Sequence, residues 1–183
     1  MTESISEVLL TREELQAIVR RLAGEIGGAY EGKRLLVIGI LKGAFVFLSD
    51  LIRALPVPCE VEFLRVSSYR NETAGGELEV LHDMAGPLDE YDVLVVEDIL
   101  DSGRTLSAIL QLVGAKNPRS LKLCALLDKP ARRQVPVEAD FVGAKIPDAF
   151  VVGYGLDYAQ RWRWLPYVGC LEFSPPAAQT DER

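Results

Sequence analysis

The chain predicts an α/β fold, a mostly parallel twisted sheet flanked by helices, from three observations. Continuous apolar runs of strand length stand at residues 35–40, 93–96 and 121–127. Stretches with helical spacing of apolar residues lie between them, and each run empties into a turn-forming segment, at 41–43, 98–105 and 128–133. Runs without polar alternation suit strands buried on both faces, as in a parallel sheet covered by helices. Ligands of such sheets gather at the carboxyl ends of the strands, so the three segments are placed to share one pocket.

The elements follow in order. Thr11-Arg12-Glu13-Glu14 has capping-box spacing. Leu15, Ile18, Val19, Leu22 and Ile26 then recur at helical intervals, and Gly27-Gly28 supplies a stop. The strand at 35–40 turns through Leu41-Lys42-Gly43 into a helix over 44–53 that ends before Pro56. A third strand covers 59–66. Residues 67–77 are polar, glycine-bearing and aperiodic, which predicts a mobile loop, with 78–81 a short strand returning from it. After the strand at 93 comes a helix carrying Leu106, Ile109, Leu110 and Val113 on one face. Residues 121–127 form another buried strand, and 141–142 and 150–152 shorter ones. The chain reads as a single domain over 1–173, long enough to bury a full core. Pro175-Pro176 and the polar residues beyond predict a disordered tail over 174–183.

Composition narrows the function. A net charge of −7 at pH 7 argues against a nucleic-acid coat. No apolar run approaches the roughly 20 residues that span a bilayer, and the first residues lack the basic start and apolar core of a signal peptide. Neither nucleic acid nor membrane is therefore an expected partner. Cys59, Cys124 and Cys170 form no C-x-x-C pair and read as reduced packing cysteines, which points to the cytoplasm. His82, the only histidine, reads as structural.

The most specific segment is 93–105, Val-Leu-Val-Val-Glu-Asp-Ile-Leu-Asp-Ser-Gly-Arg-Thr. An apolar strand ends in Glu97-Asp98, and Asp101-Ser102-Gly103-Arg104-Thr105 opens a helix. A helix start offers unpaired N–H groups and partial positive charge to a phosphate. Gly103 lets the backbone approach closely, and Ser102 and Thr105 add hydroxyl donors. Glu97 and Asp98 can accept hydrogen bonds from a vicinal diol such as a ribose. Asp101 is the odd member, a carboxylate inside a phosphate cradle. The plainer alternative is an ordinary acidic strand-to-helix turn.

This segment resembles the phosphoribosyl-pyrophosphate motif of the type I phosphoribosyltransferases. The rest of the chain, from about Leu10 to Glu172, resembles the hypoxanthine-guanine branch of that family. Gly39-Ile-Leu-Lys-Gly43, Val66-Ser-Ser-Tyr69, Leu127-Asp-Lys129 and Ile146-Pro-Asp-Ala-Phe-Val-Val-Gly-Tyr-Gly-Leu-Asp-Tyr158 carry the likeness. It implies the type I phosphoribosyltransferase fold, with a small base-recognition hood and a flexible lid. Leu41, Lys42 and Gly43 would bind pyrophosphate, in a loop whose Leu41–Lys42 bond is often cis. Ser68 and Tyr69 would belong to the lid, and Arg163 would contact the leaving pyrophosphate. Glu97, Asp98, Ser102, Gly103, Arg104 and Thr105 complete the phosphoribosyl-pyrophosphate set, although Arg104 stands where the family varies.

On the base side the resemblance implies that Lys129 donates to the purine 6-oxo group, which disfavours adenine, whose 6-amino group is itself a donor. Arg132 and Arg133 nearby read as solvated charges. Phe150 would stack on the base, Val151 would meet its edge through the main chain, and Leu156 would close its other face. Asp157 would join the base site and coordinate Mg2+, with Glu97 and Asp98 as further metal candidates. Trp162 and Trp164 read as packing or subunit-interface residues. Asp101 would be catalytic, taking a proton from the purine. The implied substrates are phosphoribosyl pyrophosphate and a 6-oxopurine base, and the implied assembly is a homodimer or homotetramer. Two alternatives stay open: a xanthine-preferring 6-oxopurine enzyme, and a regulator of the same fold that senses phosphoribosyl pyrophosphate.

Overall fold

The computed structural model describes residues 2–68, 78–82 and 86–174. In chain order its elements are β1 (Thr2–Leu10), α1 (Arg12–Tyr30), β2 (Leu35–Leu41), α2 (Phe45–Ala54), β3 (Cys59–Ser68), β4 (Leu78–His82), β5 (Asp92–Leu100), α3 (Arg104–Gly114), β6 (Ser120–Asp128), β7 (Phe141–Lys145), β8 (Val151–Val152) and β9 (Val168–Ser174). The main sheet runs β4-β3-β2-β5-β6-β7, with every neighbouring pair parallel except β3 and β4.

Its central strands are apolar on both faces because both faces are covered. Leu35 and Val37 of β2, Leu94 and Val96 of β5, and Cys124 and Leu126 of β6 share a core with α1 and α2. Their neighbours Leu36, Ile38, Val93, Val95, Leu123 and Ala125 pack with Leu106, Ile109 and Val113 of α3 on the other side. The period of two along each strand divides one run between two cores.

Several expectations are met. Thr11 and Glu14 form the reciprocal capping box. Cys59, Cys124 and Cys170 are all free, Cys124 buried and the other two half-buried. Among the described residues no helix is long and apolar enough to cross a membrane.

Other expectations are corrected. α1 does not stop at Gly27-Gly28 but continues to Tyr30. A Cβ on Gly27 would lie 2.3 Å from Pro56 Cγ, so this glycine serves close packing and not termination. Buried Tyr30 anchors the last turn by donating to the Val93 carbonyl at 3.0 Å. β3 runs on through Ser68, because Ser67 and Ser68 pair with Glu79 and Leu78 of β4. β5 likewise passes through Glu97-Asp98 to Leu100, since its pairing with β6 continues to Asp128. The remainder of the expected mobile loop, 69–77, and of the expected tail, 175–183, lies outside the described residues.

A second sheet, β1-β9-β8, is antiparallel, and of its strands only the one at 151–152 is predicted from sequence. β1 is polar and half exposed, and β9 contains a glycine, so neither looks like a core strand. Ser174, assigned above to the tail, is the last residue of β9 and pairs with Thr2. This sheet forms a hood whose small core joins Val152, Leu165 and Leu171.

Candidate active site

Three glycines bring backbone segments together at the carboxyl ends of the strands. The Leu41–Lys42 peptide is cis. A Cβ on Gly43 would stand 1.7 Å from Asp98 Oδ2, and one on Gly155 (φ +104) would stand 2.2 Å from the Gly43 carbonyl oxygen. The turn after β2, the end of β5 and the segment after β8 therefore touch with no room for side chains. Gly103, at φ +80, is the buried N-cap of α3.

The acidic pair sits inside the sheet. Glu97 is 9% exposed, and its Oε1 accepts the Asp98 N–H at 3.0 Å. Burial, then the neighbouring Asp98 charge, pushes the Glu97 carboxyl well above the ordinary carboxylate range. Burial also raises Asp98, while bonds from Glu97 and the Ile99 N–H, and the charge of Arg163, pull it back.

The turn ahead of α3 is tied down from behind. The Ser102 carbonyl accepts N–H bonds from Gln134 at 2.9 Å and Val135 at 3.3 Å. Arg133 pairs with Asp128 and donates to the Asp101 carbonyl, with its side chain only 19% exposed. It is a staple and not the solvated charge expected above. Arg104 and Thr105 are exposed at the start of α3, where the first N–H groups have no intrahelical acceptor.

A cleft of about 600 Å³ opens beside this turn. It brings together Asp98, Asp101, Lys129, Phe150, Val151, Leu156 and Asp157, all singled out from sequence. Lys129 is 7% exposed and donates from Nζ to the Ala149 carbonyl at 2.7 Å, which leaves two ammonium protons unused in that bond. Asp101 Oδ1 is sealed from solvent without a hydrogen-bond partner. The cleft also contains Arg132 and Asp148, which sequence reasoning missed as functional. The Arg132 guanidinium stands between two carboxylates, 3.6 Å from Asp101 Oδ1 and 3.6 Å from Asp148 Oδ1. Val151 and Leu156 are each 6% exposed, whereas Phe150 is 48% exposed.

Lys42, Asp157 and Arg163 meet through a residue the sequence did not single out. Gln160 Oε1 accepts from Lys42 Nζ and from Arg163 Nη2, each at 3.3 Å, and the Gln160 N–H donates to Asp157 Oδ2 at 2.8 Å. Arg163 also pairs with Asp157 Oδ1 at 2.6 Å and donates to the Gly155 carbonyl at 2.7 Å. Ala159, Gln160 and Trp162 all have positive φ, between 50° and 77°. Such a cluster of non-glycine residues marks functional turns, but nothing in Ala, Gln or Trp signals it beforehand. Trp162 packs on the hood core, while Trp164 is 78% exposed. Ser68 is placed by its β3 backbone, and Tyr69 lies outside the described residues.

An open, mostly parallel sheet with a glycine-capped helix start, a buried acidic pair and a cleft at its carboxyl edge is an α/β fold whose pocket lies where such sheets bind their ligands. The chain belongs to the phosphoribosyl transferase domain family, whose model matches residues 7–159. It is 45% identical over 173 residues to the hypoxanthine-guanine phosphoribosyltransferase of Bacillus subtilis, covering 94% of this chain and 96% of that one. It is 47% identical to the bifunctional protein TilS/HprT of Listeria innocua, again over 94% of this chain, and spans 27% of the length of that longer relative. A crystal structure of a hypoxanthine phosphoribosyltransferase from Staphylococcus aureus superposes with a TM-score of 0.89 at 43% identity, over 93% of this chain and 95% of that one.

Proposed function

We propose that the protein transfers the 5-phosphoribosyl group from phosphoribosyl pyrophosphate to hypoxanthine or guanine, forming IMP or GMP and releasing pyrophosphate, as a purine-salvage enzyme. The observation that carries this reading is the cleft in which the Lys129 ammonium, the Asp101 carboxylate and the exposed Phe150 ring meet. The likeness to hypoxanthine-guanine enzymes over nearly the whole chain supports it.

Each group has work matched to its chemistry. Lys129 donates to the 6-oxo group, Phe150 and Leu156 enclose the ring, and the Val151 and Asp157 backbone meets its edge. The start of α3, with Ser102, Gly103, Arg104 and Thr105, holds the 5′-phosphate. Glu97 and Asp98 accept from the ribose hydroxyls. As one imidazole nitrogen of the purine bonds to C1′ through its lone pair, the proton on the other passes to the Asp101 carboxylate, and the bond from C1′ to the pyrophosphate oxygen breaks. Proton transfer of this kind contributes roughly 10²–10⁴-fold. Leu41, Lys42, Gly43 and Arg163 receive the negative charge gathering on pyrophosphate.

Magnesium fits this donor set. Among the described residues no three His, Cys, Asp or Glu side chains cluster as a metal cage. Mg2+ commonly takes one or two carboxylates and completes its shell with phosphates and water. Asp157 would supply one such carboxylate, with Glu97 and Asp98 as the further candidates, and a cation beside the acidic pair would offset its desolvation. When bound, it would neutralise charge on the pyrophosphate. A cytoplasmic location and a homodimeric or homotetrameric assembly complete the reading.

The test is a phosphoribosyl-pyrophosphate-dependent assay with hypoxanthine, guanine, xanthine and adenine, with and without Mg2+. Turnover on hypoxanthine or guanine that needs Mg2+ is expected. Preference for xanthine would change the assigned base, and no turnover on any base would leave the regulator of the same fold.

A further inference from the structure

The ring assigned to the purine is held by two others. Phe150 meets Tyr158 with centroids 5.6 Å apart at 87°, and Phe173 at 6.1 Å and 70°. Tyr158 and Phe173 meet in turn at 5.0 Å and 68°. All three contacts have the edge-to-face geometry that aromatic quadrupoles favour. The rings come from separate places: Phe150 just before β8, Tyr158 next to Asp157, and Phe173 near the end of β9.

Core packing accounts for Tyr158, which lies against the hood core, but not for the other two rings. Phe173 is 40% exposed and Phe150 is 48% exposed, so much of their apolar surface stays in water. The hood core is supplied by Val152, Leu165 and Leu171 instead. What the arrangement does supply is fixed orientation. Rotating Phe150 away from the cleft breaks two ring contacts at once, and the ring most exposed of the three lines the cleft. A ring already held in place loses less freedom when a planar ligand stacks on it.

We infer that Tyr158 and Phe173 are positioning residues for base recognition, presetting the Phe150 ring for a purine. The inference rests on Phe150 being the stacking platform. Tyr158 also links the ring to the 157–160 turn, where Asp157, Gln160, Lys42 and Arg163 converge. The hood strand β9 thereby contributes to specificity from the far end of the chain.

The experiment measures kcat and KM for hypoxanthine and for phosphoribosyl pyrophosphate in Phe173→Ala, Phe173→Leu, Phe173→Tyr, Phe150→Ala and the Phe150→Ala/Phe173→Ala double variant. Phe173→Ala is expected to raise the base KM about two- to tenfold, the range edge-to-face pairs are worth. The phosphoribosyl-pyrophosphate KM and kcat should hold, and Phe173→Tyr should restore the base KM. In the double variant Phe173→Ala should add nothing to Phe150→Ala. Phe173→Leu keeps the bulk and removes the ring, so it reads the same effect should the alanine variant fold poorly. A raised base KM in Phe150→Ala with none in the Phe173 variants would overturn the positioning role and leave stacking intact. No change in Phe150→Ala would overturn both. Equal rises in the two KM values, or additive effects in the double variant, would show Phe173 acting on the fold or on the base by itself, and either sinks the inference.

Discussion

The side of the cleft proposed to take pyrophosphate and the side proposed to take the base are built differently. On the first, position is set by backbone pressed against backbone or carboxylate: Gly43 on Asp98, Gly155 on the Gly43 carbonyl, Gly103 at φ +80. On the second, it is set by side chains from just beyond β6, just before β8, from β9 and from the 3₁₀ turn at Pro130–Arg132: Lys129 on the Ala149 carbonyl, Arg132 between Asp101 and Asp148, and the Phe150 trio. A backbone cradle presents many donors but accepts no added atom. A side-chain pocket can change by increments, which suits the part of an enzyme that chooses among similar bases.

Asp101 joins the two sides, and removing its charge should have the largest effect. Asp101→Asn is expected to lower kcat by about 10²–10⁴-fold with a smaller change in either KM. Steady-state kinetics at saturating substrate check this, and retained turnover would leave the carboxylate without a chemical role. Next comes Gly43→Ala, which puts a carbon where Asp98 now lies. Displacing the cradle by about 1 Å is expected to cost on the order of 10²-fold in kcat/KM for phosphoribosyl pyrophosphate. Near-normal kinetics would show the cradle to be as adaptable as the base side, erasing the contrast.

Lys129→Met keeps the stem and removes the donor. It should weaken the base by roughly 10- to 100-fold, the range for a hydrogen bond from a charged group, and spare phosphoribosyl-pyrophosphate binding. Isothermal titration with each substrate separates the two. The smallest functional effect is expected of Gly27→Ala, whose new carbon meets Pro56 far from either side. Overpacking there should cost about 1–3 kcal/mol, visible as a lower Tm, with both KM values unchanged.

How much was legible follows the same division. The strand–acid–glycine–helix order of 93–105 could be read directly, because a phosphate-binding turn is local and its residue types are dictated by backbone geometry. Lys129, Phe150, Val151, Leu156 and Asp157 were legible through the family likeness of their segments, although an apolar strand and an isolated lysine say little alone. Gln160 was not legible, because its role depends on a positive φ that its residue type does not announce. Arg133 was misread for a related reason: its partners are Asp128 and the Asp101 backbone, and only folding shows that an arginine beside a polar turn is buried.

From the sequence alone came the parallel sheet, the capped first helix and the glycine-bearing turn ahead of α3. Each depends on periodicity or on residues within a few positions of one another, where local sterics and burial on both faces leave few alternatives. Only the tertiary structure decided how the hood is built, with Thr2 paired to Ser174 and Phe173 reaching Phe150. These contacts join residues far apart along the chain, and half-exposed strands lack the apolar pattern that would announce them. The proposed base side thus takes its shape from long-range packing, and the glycine-capped turn ahead of α3 from the chain's own local grammar.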